Sequence, residues 1–356
     1  MPMKRRERKK KYTRRGFLLL LAAVGAAFGL FRSRHSLKVF LKGAGDTAPA
    51  RGPGNLYVRG GKSLVAAVGG RDLTEMVERA VSLIGGFDRI PVRGKRILVK
   101  PNVVGARGNP TTTSPELVGA VVERLFHHGA AEVVVGDMSA LIRGGTAKNM
   151  EENGIGPAAR RAGAETVAFE DHGWVAVKVD GDYLEQVEVT DRFFEVDRVI
   201  NLPVIKTHRY AGYSICLKNL VGATHFSQRP YLVDRSHWEE VVAELNLAFS
   251  FPLHIVDGTR IMVEGGPWEG TVRDTHLILA GGDPVACDVI GLAMIKSFGR
   301  WERLASRSPW EMRQVKRAVA LGLGAGSLAQ MEILEASLDR DPAFAPLMGR
   351  VRTLLA

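Results

Sequence analysis

Short apolar runs alternate with segments of helical periodicity along most of the chain. Residues 64–68 and 96–99 are runs of the length expected for buried strands. Between them, apolar positions recur at helical spacing over residues 72–84. A second helix is predicted to begin at Ser114, which suits the N-cap, and to end at Gly129. Strand, helix and strand in succession predict a right-handed parallel unit.

The same alternation continues to residue 300. Further strands are predicted at residues 133–135, 198–202, 253–256 and 276–280. Further helices are predicted at 237–249 and 284–298, the second with Asp283 as its N-cap. Short runs near residues 166–169, 175–179 and 186–189 predict a small β insertion at about 165–192. The turn residues Asp180-Gly181-Asp182 indicate a hairpin within it.

Together these elements predict an α/β fold, with an open, mostly parallel sheet flanked by helices. The α/β domain occupies residues 63–300, after a Gly, Pro and Arg-rich linker at 43–62. The helical C-terminal tail, residues 301–356, is predicted to contain two or three helices.

The amino terminus resembles an export leader. Its first fifteen residues hold nine Lys or Arg, and Arg14-Arg15 precedes an apolar segment at residues 16–31. That segment is shorter than the roughly 20 residues that span a bilayer comfortably. We therefore predict export through the twin-arginine translocase to the periplasm or the outer face of the cytoplasmic membrane. The sequence leaves open whether residues 1–42 are cleaved or stay as a membrane anchor.

The net charge of +11 comes from the leader. Residues 1–42 carry 13 basic residues and one Glu, so residues 43–356 carry 36 basic and 37 acidic residues. The body of the protein is therefore nearly neutral, which argues against nucleic acid as a partner. The membrane is expected to contact only the N-terminal segment.

The two cysteines, Cys216 and Cys287, lie far apart in sequence among apolar residues. They provide neither a paired metal-ligand set nor an iron-sulfur spacing. We predict that this chain holds no iron-sulfur cluster. Buried free thiols are favoured over a disulfide, because a buried cysteine behaves as a small hydrophobe.

Cationic side chains cluster after the strand at 198–202. Lys206 and His208 are two positions apart and point the same way on an extended segment, and Lys218 follows a turn. This set suits an anionic small molecule, with Lys206, His208 and Lys218 as candidate catalytic residues. The apolar neighbours of Lys218 favour a desolvated amine, which is a candidate base or nucleophile. The alternative is that these residues form a solvated loop edge.

Carboxylates at strand ends and on one helix form a candidate metal set. Asp137 and Asp257 follow apolar runs, Glu264 lies in a loop, and Asp288 lies on an apolar helix. If they converge with Asn102, they offer oxygen ligands to a divalent metal. The alternatives are a turn cap for each Asp at a strand end and, for Asp288, an ion pair with Lys206 or Lys218.

Several polar or glycine residues are candidates for ligand binding. The candidates are Lys100, Asn102, Asn219, Gly265 and Gly266. The glycines would let backbone N–H groups approach an anion. The spacing Gly-x-Gly-x-x-Gly after the first strand is absent, which argues against ordinary NAD binding.

Five signatures in order carry a family resemblance. They are Lys100-Pro101-Asn102, Gly136-Asp137, residues 201–208 with 217–223, Asp257-Gly258 with residues 264–267, and residues 282–288. Over residues 64–300 the chain resembles the domain of unknown function 362 family, whose members often have twin-arginine leaders or accompany iron-sulfur modules. The family's role is largely unassigned, so the resemblance implies an architecture and no particular reaction. Electron transfer would need a redox partner protein or another cofactor.

The sequence thus predicts an exported cofactor- or metal-dependent enzyme that acts on an anionic small molecule at the strand ends. Redox chemistry is the favoured class. One alternative is a non-catalytic periplasmic ligand or metal carrier, which predicts two lobes joined by a hinge. Another is an accessory subunit of an exported redox complex, which predicts an exposed apolar patch and no pocket.

Overall fold

The computed structural model of the chain describes residues 43–50, 52, 54–140 and 143–356. The predicted leader at residues 1–42 lies outside this part of the chain. Among the residues described, none of the helices combines the length and apolar character needed to cross a bilayer.

The described residues form strands and helices in alternation. The strands are β1 Asp46–Ala48, β2 Val58–Arg59, β3 Lys62–Gly69, β4 Arg96–Pro101, β5 Glu132–Asp137, β6 Glu165–Ala168, β7 Trp174–Lys178, β8 Gln186–Thr190, β9 Arg198–Leu202, β10 Val204–His208, β11 Gly212–Ser214, β12 Leu253–Gly265, β13 Gly270–Gly281 and β14 Met331–Ser337. The helices are α1 Leu73–Ile84, α2 Pro115–His127, α3 Thr146–Glu152, α4 Ile155–Arg161, α5 Cys216–Asn219, α6 Pro230–Val233, α7 Trp238–Leu245, α8 Pro284–Lys296, α9 Glu302–Ala305, α10 Arg313–Ala320 and α11 Phe344–Leu355.

The main sheet is mixed but mostly parallel. Its long path runs β14-β3-β13-β12-β9-β4-β5-β6, and β10, β11 and β2 pair at its sides. Along that path only β13 runs against its neighbours, since it pairs antiparallel with both β12 and β3. The predicted α/β class with a mostly parallel sheet is confirmed.

Both faces of this sheet are buried. In β3, Leu64, Ala66 and Val68 pack into a cluster that includes the apolar residues of α1 and α2. Val65 and Ala67 face the other way, into a cluster that includes residues of α8 and α11. Because successive strand residues alternate between faces, a strand that is apolar throughout requires a helical layer on each side. The carboxyl ends of the strands are left free of these layers.

The structure differs from the sequence prediction at three places. The tail contains β14, which pairs parallel with β3, as well as helices. Within the predicted insertion, β6 pairs with β5 in the main sheet, and only β7 and β8 form a separate small sheet, together with β1. Short strands also occur in the predicted linker, at β1 and β2. These pairings join segments far apart in sequence, which local periodicity does not reveal.

Asp283 connects three of these segments. Its carboxylate accepts hydrogen bonds from Ala286 N at 2.9 Å, from Ser63 Oγ at 2.6 Å and from Ala325 N at 2.8 Å. The first of these bonds is the predicted N-cap of α8. The other two attach β3 and the C-terminal tail to the same carboxylate.

We expect Asp283→Ala to lower the free energy of unfolding by roughly 3 kcal/mol, because a cap is lost and buried donors lose their acceptor. Asp72→Ala is the matched control, since Asp72 caps α1 at an exposed site with bonds to Thr74 N and Glu75 N. Its expected cost is about 1 kcal/mol. Urea unfolding followed by circular dichroism measures both, and equal losses would contradict the role assigned to Asp283.

Candidate functional site

A cavity of about 650 Å³ lies at the carboxyl ends of β4, β5 and β10. Its lining includes five of the predicted site residues: Asn102, Asp137, Lys206, His208 and Lys218. Open α/β sheets bind ligands at this edge because the chain leaves the strands there and exposes polar groups. Asn102 and Asp137 lie on the same rim of the sheet, where Val103 N donates to Asp137 Oδ2 at 2.6 Å.

A proline break directs the cationic strand to this cavity. Pro203 separates β9 from β10, and both strands pair parallel with successive parts of β12. The proline has no N–H to donate, while its carbonyl accepts Asp257 N at 2.7 Å. Lys206 and His208 therefore lie on β10, two positions apart, and both line the cavity.

Lys100 and Asp137 form a buried ion pair beside the cavity. Lys100 Nζ lies 2.6 Å from Asp137 Oδ1, and the side chains are 0% and 1% exposed. Burial lowers the pKa of Lys100, while the charge of Asp137 opposes that shift. Lys100 does not line the cavity, so it acts as the counter-ion of Asp137 and not as a direct ligand contact.

Among the described residues, the hydrogen-bond partners of the Lys206 ammonium are neutral oxygens. Its Nζ donates to Asn102 Oδ1 and to the Thr111 carbonyl. A line of amides continues behind it: Asn102 Nδ2 donates to Asn219 Oδ1 at 3.0 Å, and Asn219 Nδ2 donates to Asn201 Oδ1 at 2.7 Å. Burial, followed by the positive charge of Lys218, lowers the pKa of Lys206 well below its ordinary value. Asn219 therefore orients other groups from behind the cavity.

His208 presents a neutral ring to the cavity. Its Nδ1 accepts hydrogen bonds from Tyr210 N at 3.2 Å and Ala211 N at 3.1 Å, which assigns the ring proton to Nε2. Burial and then the charges of Lys218 and Lys206 lower the pKa of His208 well below 6.5. The ring is consequently a hydrogen-bond donor through Nε2 and not a cation.

Lys218 combines partial exposure to the cavity with a strongly shifted pKa. Burial first, then the positive charges of Arg229 and Lys100, lower the pKa of Lys218 to about 7. Its ammonium makes no hydrogen bond or ion pair with the part of the chain that the structure describes. The residue lies on α5, a single helical turn. An amine that is half neutral near pH 7 is suited to proton transfer.

Asp288 positions this turn. Its carboxylate accepts Cys216 N at 2.7 Å and Leu217 N at 3.4 Å, at the start of α5. Burial raises the pKa of Asp288 to about 7, although those hydrogen bonds by themselves would lower it. The alternative pairing of Asp288 with Lys206 or Lys218 is therefore wrong. Cys216 and Cys287 are buried and free, as predicted.

The predicted metal set does not come together. Asp257 accepts Asn109 Nδ2 at 2.7 Å and Ser114 N at 2.8 Å, and Glu264 accepts Thr271 Oγ1 at 2.8 Å. Asp137 and Asp288 are engaged as described above. Among the described residues, no group of three or more His, Cys, Asp or Glu side chains is placed to hold a metal ion. These carboxylates shape loops and strand ends, which a sequence cannot distinguish from ligation.

Gly265 is the last residue of β12 and Gly266 begins the turn to β13, and neither lines the cavity. Gly266 N donates to Glu269 O at 2.7 Å, so it is not free to bind an anion. A Cβ at Gly266 would lie 2.0 Å from the Thr207 carbonyl oxygen. The glycine is needed for this close approach, which brings the following residues, Pro267 and Trp268, to the cavity.

Sequence reasoning missed much of the cavity wall. The missed residues include Arg229, Arg235 and Arg303, and the aromatic residues Tyr210, Tyr231, Trp238 and Trp268. Arg229 is 7% exposed, donates to the Met138 carbonyl at 3.2 Å, and has a buried Nε without a partner among the described residues. The one available signal was the run Arg229-Pro230-Tyr231, a cation and an aromatic ring beside a proline.

The sequence profile of the family described as domain of unknown function (DUF362) matches residues 97–293. This chain belongs to that family. A relative described as a thylakoid-associated protein of Synechocystis sp. (strain ATCC 27184 / PCC 6803 / Kazusa) is 28% identical over 215 residues. The match covers 58% of this chain and 65% of the relative, so the chain spans less than two thirds of that protein.

Two solved structures match this DUF362 protein at low similarity. A structural-genomics protein from Thermotoga maritima is 14% identical with a TM-score of 0.37, and the match covers 60% of this chain and 55% of that one. The lactate racemase apoprotein from Thermoanaerobacterium thermosaccharolyticum is 11% identical with a TM-score of 0.34, and the match covers 86% of this chain and 90% of that one.

Gly222, in one of the DUF362-like signatures, packs directly on the buried ion pair. A Cβ there would lie 2.2 Å from Asp137 Oδ1 and 2.9 Å from Lys100 Nζ. We expect Gly222→Ala to lower the free energy of unfolding by roughly 2–3 kcal/mol, because the pair must shift in a packed interior.

Gly349→Ala is the matched control, because Gly349 lies in α11 with open space around its Cβ position. This change is expected to stabilise the protein by about 0.5–1 kcal/mol. Urea unfolding measures the free energy of unfolding of both variants. If Gly222→Ala leaves that free energy unchanged, Gly222 does not pack closely against Lys100 and Asp137.

Proposed function

We propose that this DUF362 protein is an enzyme that binds an anionic small molecule in the cavity and transfers a proton through Lys218. The observation that carries the proposal is the charge of the cavity wall. Of the described lining residues, six are Lys or Arg and one, Asp137, is acidic. That single carboxylate is already paired with Lys100. An anionic ligand supplies the negative charge that the wall lacks.

The geometry supports separate roles for three side chains. Arg229 has a planar guanidinium with an unpartnered Nε, which suits a carboxylate or phosphate. His208 offers Nε2–H to a ligand oxygen, since its Nδ1 is occupied by backbone donors. The neutral amine of Lys218 accepts the proton: a C–H or O–H bond of the ligand breaks, its electron pair stays on the ligand, and the nearby cations stabilise the resulting negative charge.

The metal, cofactor and redox roles predicted from the sequence stay predictions. The donor set around the cavity is mostly cationic, which does not fit direct coordination of a divalent metal by protein carboxylates. No step of the proposed proton transfer is assigned to a metal or another group.

The two alternatives are less well supported. The carrier hypothesis requires two lobes with a hinge, whereas eleven of the fourteen described strands join in one continuous sheet. The accessory-subunit hypothesis requires an exposed apolar patch and no pocket. Within the described residues the exposed large apolar side chains are Val58 and Tyr210, and Tyr210 lines the cavity.

Export by the twin-arginine route is the proposed localisation. Arg14-Arg15 before an apolar segment supports it. The name of the thylakoid-associated relative agrees with an exported or membrane-associated protein.

A shifted lysine in an anion site can be detected by trapping an anionic aldehyde. We expect pyridoxal 5′-phosphate followed by borohydride to label Lys218 fastest, with a rate that rises as the pH passes through about 7. The rate rises with pH because the amine of Lys218 loses its proton, whereas the pKa of an ordinary lysine is about 10.4. Peptide mass spectrometry locates the label, and the exposed Lys148 gives the background rate.

Two variants make this test specific. Lys218→Met should remove the fast phase. Arg229→Gln should raise the pKa of Lys218, because a nearby positive charge is lost, and so slow both aldehydes near pH 7. At a pH where the amine of Lys218 is neutral in both proteins, Arg229→Gln should still slow labelling by pyridoxal 5′-phosphate about tenfold, through loss of one charged contact, but not labelling by the uncharged pyridine-4-carboxaldehyde. If Lys218 reacts no faster than Lys148 near pH 7, or if Arg229→Gln slows both aldehydes equally at the higher pH, the proposed site is wrong.

The export proposal has its own test. Replacing Arg14 and Arg15 with Lys keeps the charge but removes the arginine pair, so we expect the full-length chain to accumulate in the cytoplasm. Cell fractionation measures this, with Arg5→Lys and Arg6→Lys as the matched control. Unchanged export of the Arg14/Arg15 variant would refute the twin-arginine route.

A further inference from the structure

Beyond its cations, the cavity has an aromatic wall that the proposed proton transfer does not use. We define the aromatic shelf as Tyr210, Trp238 and Tyr231, all of which line the cavity. The rings of Tyr210 and Trp238 stack with centroids 5.5 Å apart and planes at 18°. Tyr231 lies against the same indole, with centroids 5.4 Å apart and planes at 35°.

The shelf adjoins the proposed reacting groups. The His208 ring centroid is 6.1 Å from those of both Trp238 and Tyr210. Tyr231 follows Arg229 by two residues, across Pro230. One end of the shelf is therefore next to the donor His208, and the other is next to the guanidinium that the anion requires.

Core packing explains only part of the shelf, since Trp238 and Tyr231 pack against the core cluster but Tyr210 does not. Tyr210 is 53% exposed, the larger of the two values for exposed large apolar side chains in the described residues. Packing a flat ring on such a surface removes apolar area from water and adds a stacking contact. A ligand that covers the shelf would therefore gain affinity that a small aliphatic anion cannot.

Two indole groups in the wall also have unused donors. The Nε1 atoms of Trp238 and Trp268 are buried and have no acceptor among the described residues. Trp268 comes from the turn after β12, whereas Trp238 begins α7, so two distant segments each bring a donor to the cavity. Buried N–H groups are costly without acceptors. Oxygen or nitrogen atoms on the ligand would provide them.

We infer that the natural ligand is an aromatic oxyanion: a planar ring with acceptor atoms lies on the shelf, and its carboxylate or phosphate faces Lys218 and Arg229. This inference rests on the proposed function, since it requires the anion site. It adds the ring, and it makes Trp238 and Tyr210 specificity-determining residues.

Calorimetric titration of the purified protein with paired probes tests this inference. The phosphate pair is 1-naphthyl phosphate and n-butyl phosphate, and the carboxylate pair is 2-naphthoate and pentanoate. Within each pair the charged group is the same. We expect the aryl member to bind about tenfold tighter or more in at least one pair, from stacking on the shelf. The pair with the tighter aryl member identifies the oxyanion.

Variants locate the effect. Trp238→Leu should weaken binding of the favoured aryl probe about tenfold and change its alkyl partner less than about twofold. Trp238→Phe should restore most of the affinity. Tyr210→Ala, at an exposed side chain, gives the same test with little risk to folding. Trp310→Leu is the control, because Trp310 lies outside this cavity.

The outcomes separate the two proposals. If aryl and alkyl probes bind the wild-type protein equally well, or if Trp238→Leu and Tyr210→Ala weaken both members of a pair alike, the aromatic ligand is refuted and the anion site stands. If no probe of either pair binds, the proposed function fails together with this inference.

Discussion

The site depends on the buried pair between Lys100 and Asp137. Asp137 is the one carboxylate among the described residues that line the cavity, and Lys100 neutralises it from behind at 2.6 Å. Arg303 pairs with Glu239 at 3.1 Å, but Lys206, Lys218 and Arg229 form no ion pair with the residues that the structure describes. A buried ion pair contributes little net stability, because desolvation offsets the Coulomb attraction. Its effect here is that Asp137 adds no net negative charge to the cavity wall.

The hydrogen-bond partners of Lys206 are also neutral, so they add no negative charge to the cavity. Asn102, Asn219 and Asn201 form a line of amides that orients Lys206 without adding negative charge. Asp288, which is close enough to α5 to set its position, bonds to backbone N–H groups instead of to a lysine. Burial first, and then the positive charges nearby, lower the pKa values of Lys206, His208 and Lys218. The cavity is therefore poised to accept an anion, whose charge would raise those pKa values again.

One cavity combines both chemistries because the sheet and its connections each contribute to the wall. Lys206 and His208 are fixed by a strand in the sheet, so their spacing is set by the two-residue period of the backbone. Lys218, Arg229 and two rings of the aromatic shelf, Tyr231 and Trp238, lie on segments that connect β11 to β12. In this protein the connections would therefore supply both the proposed base and the rings that decide which ligand fits.

The sequence by itself determined the alternation of strands and helices, the family, the cap at Asp283 and the strand that carries Lys206 and His208, because these depend on local periodicity and short motifs. Only the tertiary structure decided which atoms of the fold Asp257, Glu264 and Asp288 bond to, since the partner of a carboxylate depends on how the chain folds. It also placed Arg229 and the aromatic shelf in the cavity and added β14 to the sheet. No local pattern encodes contacts such as those of Asp288 with Cys216 or of Met331 with Ser63, because they join segments far apart in the chain.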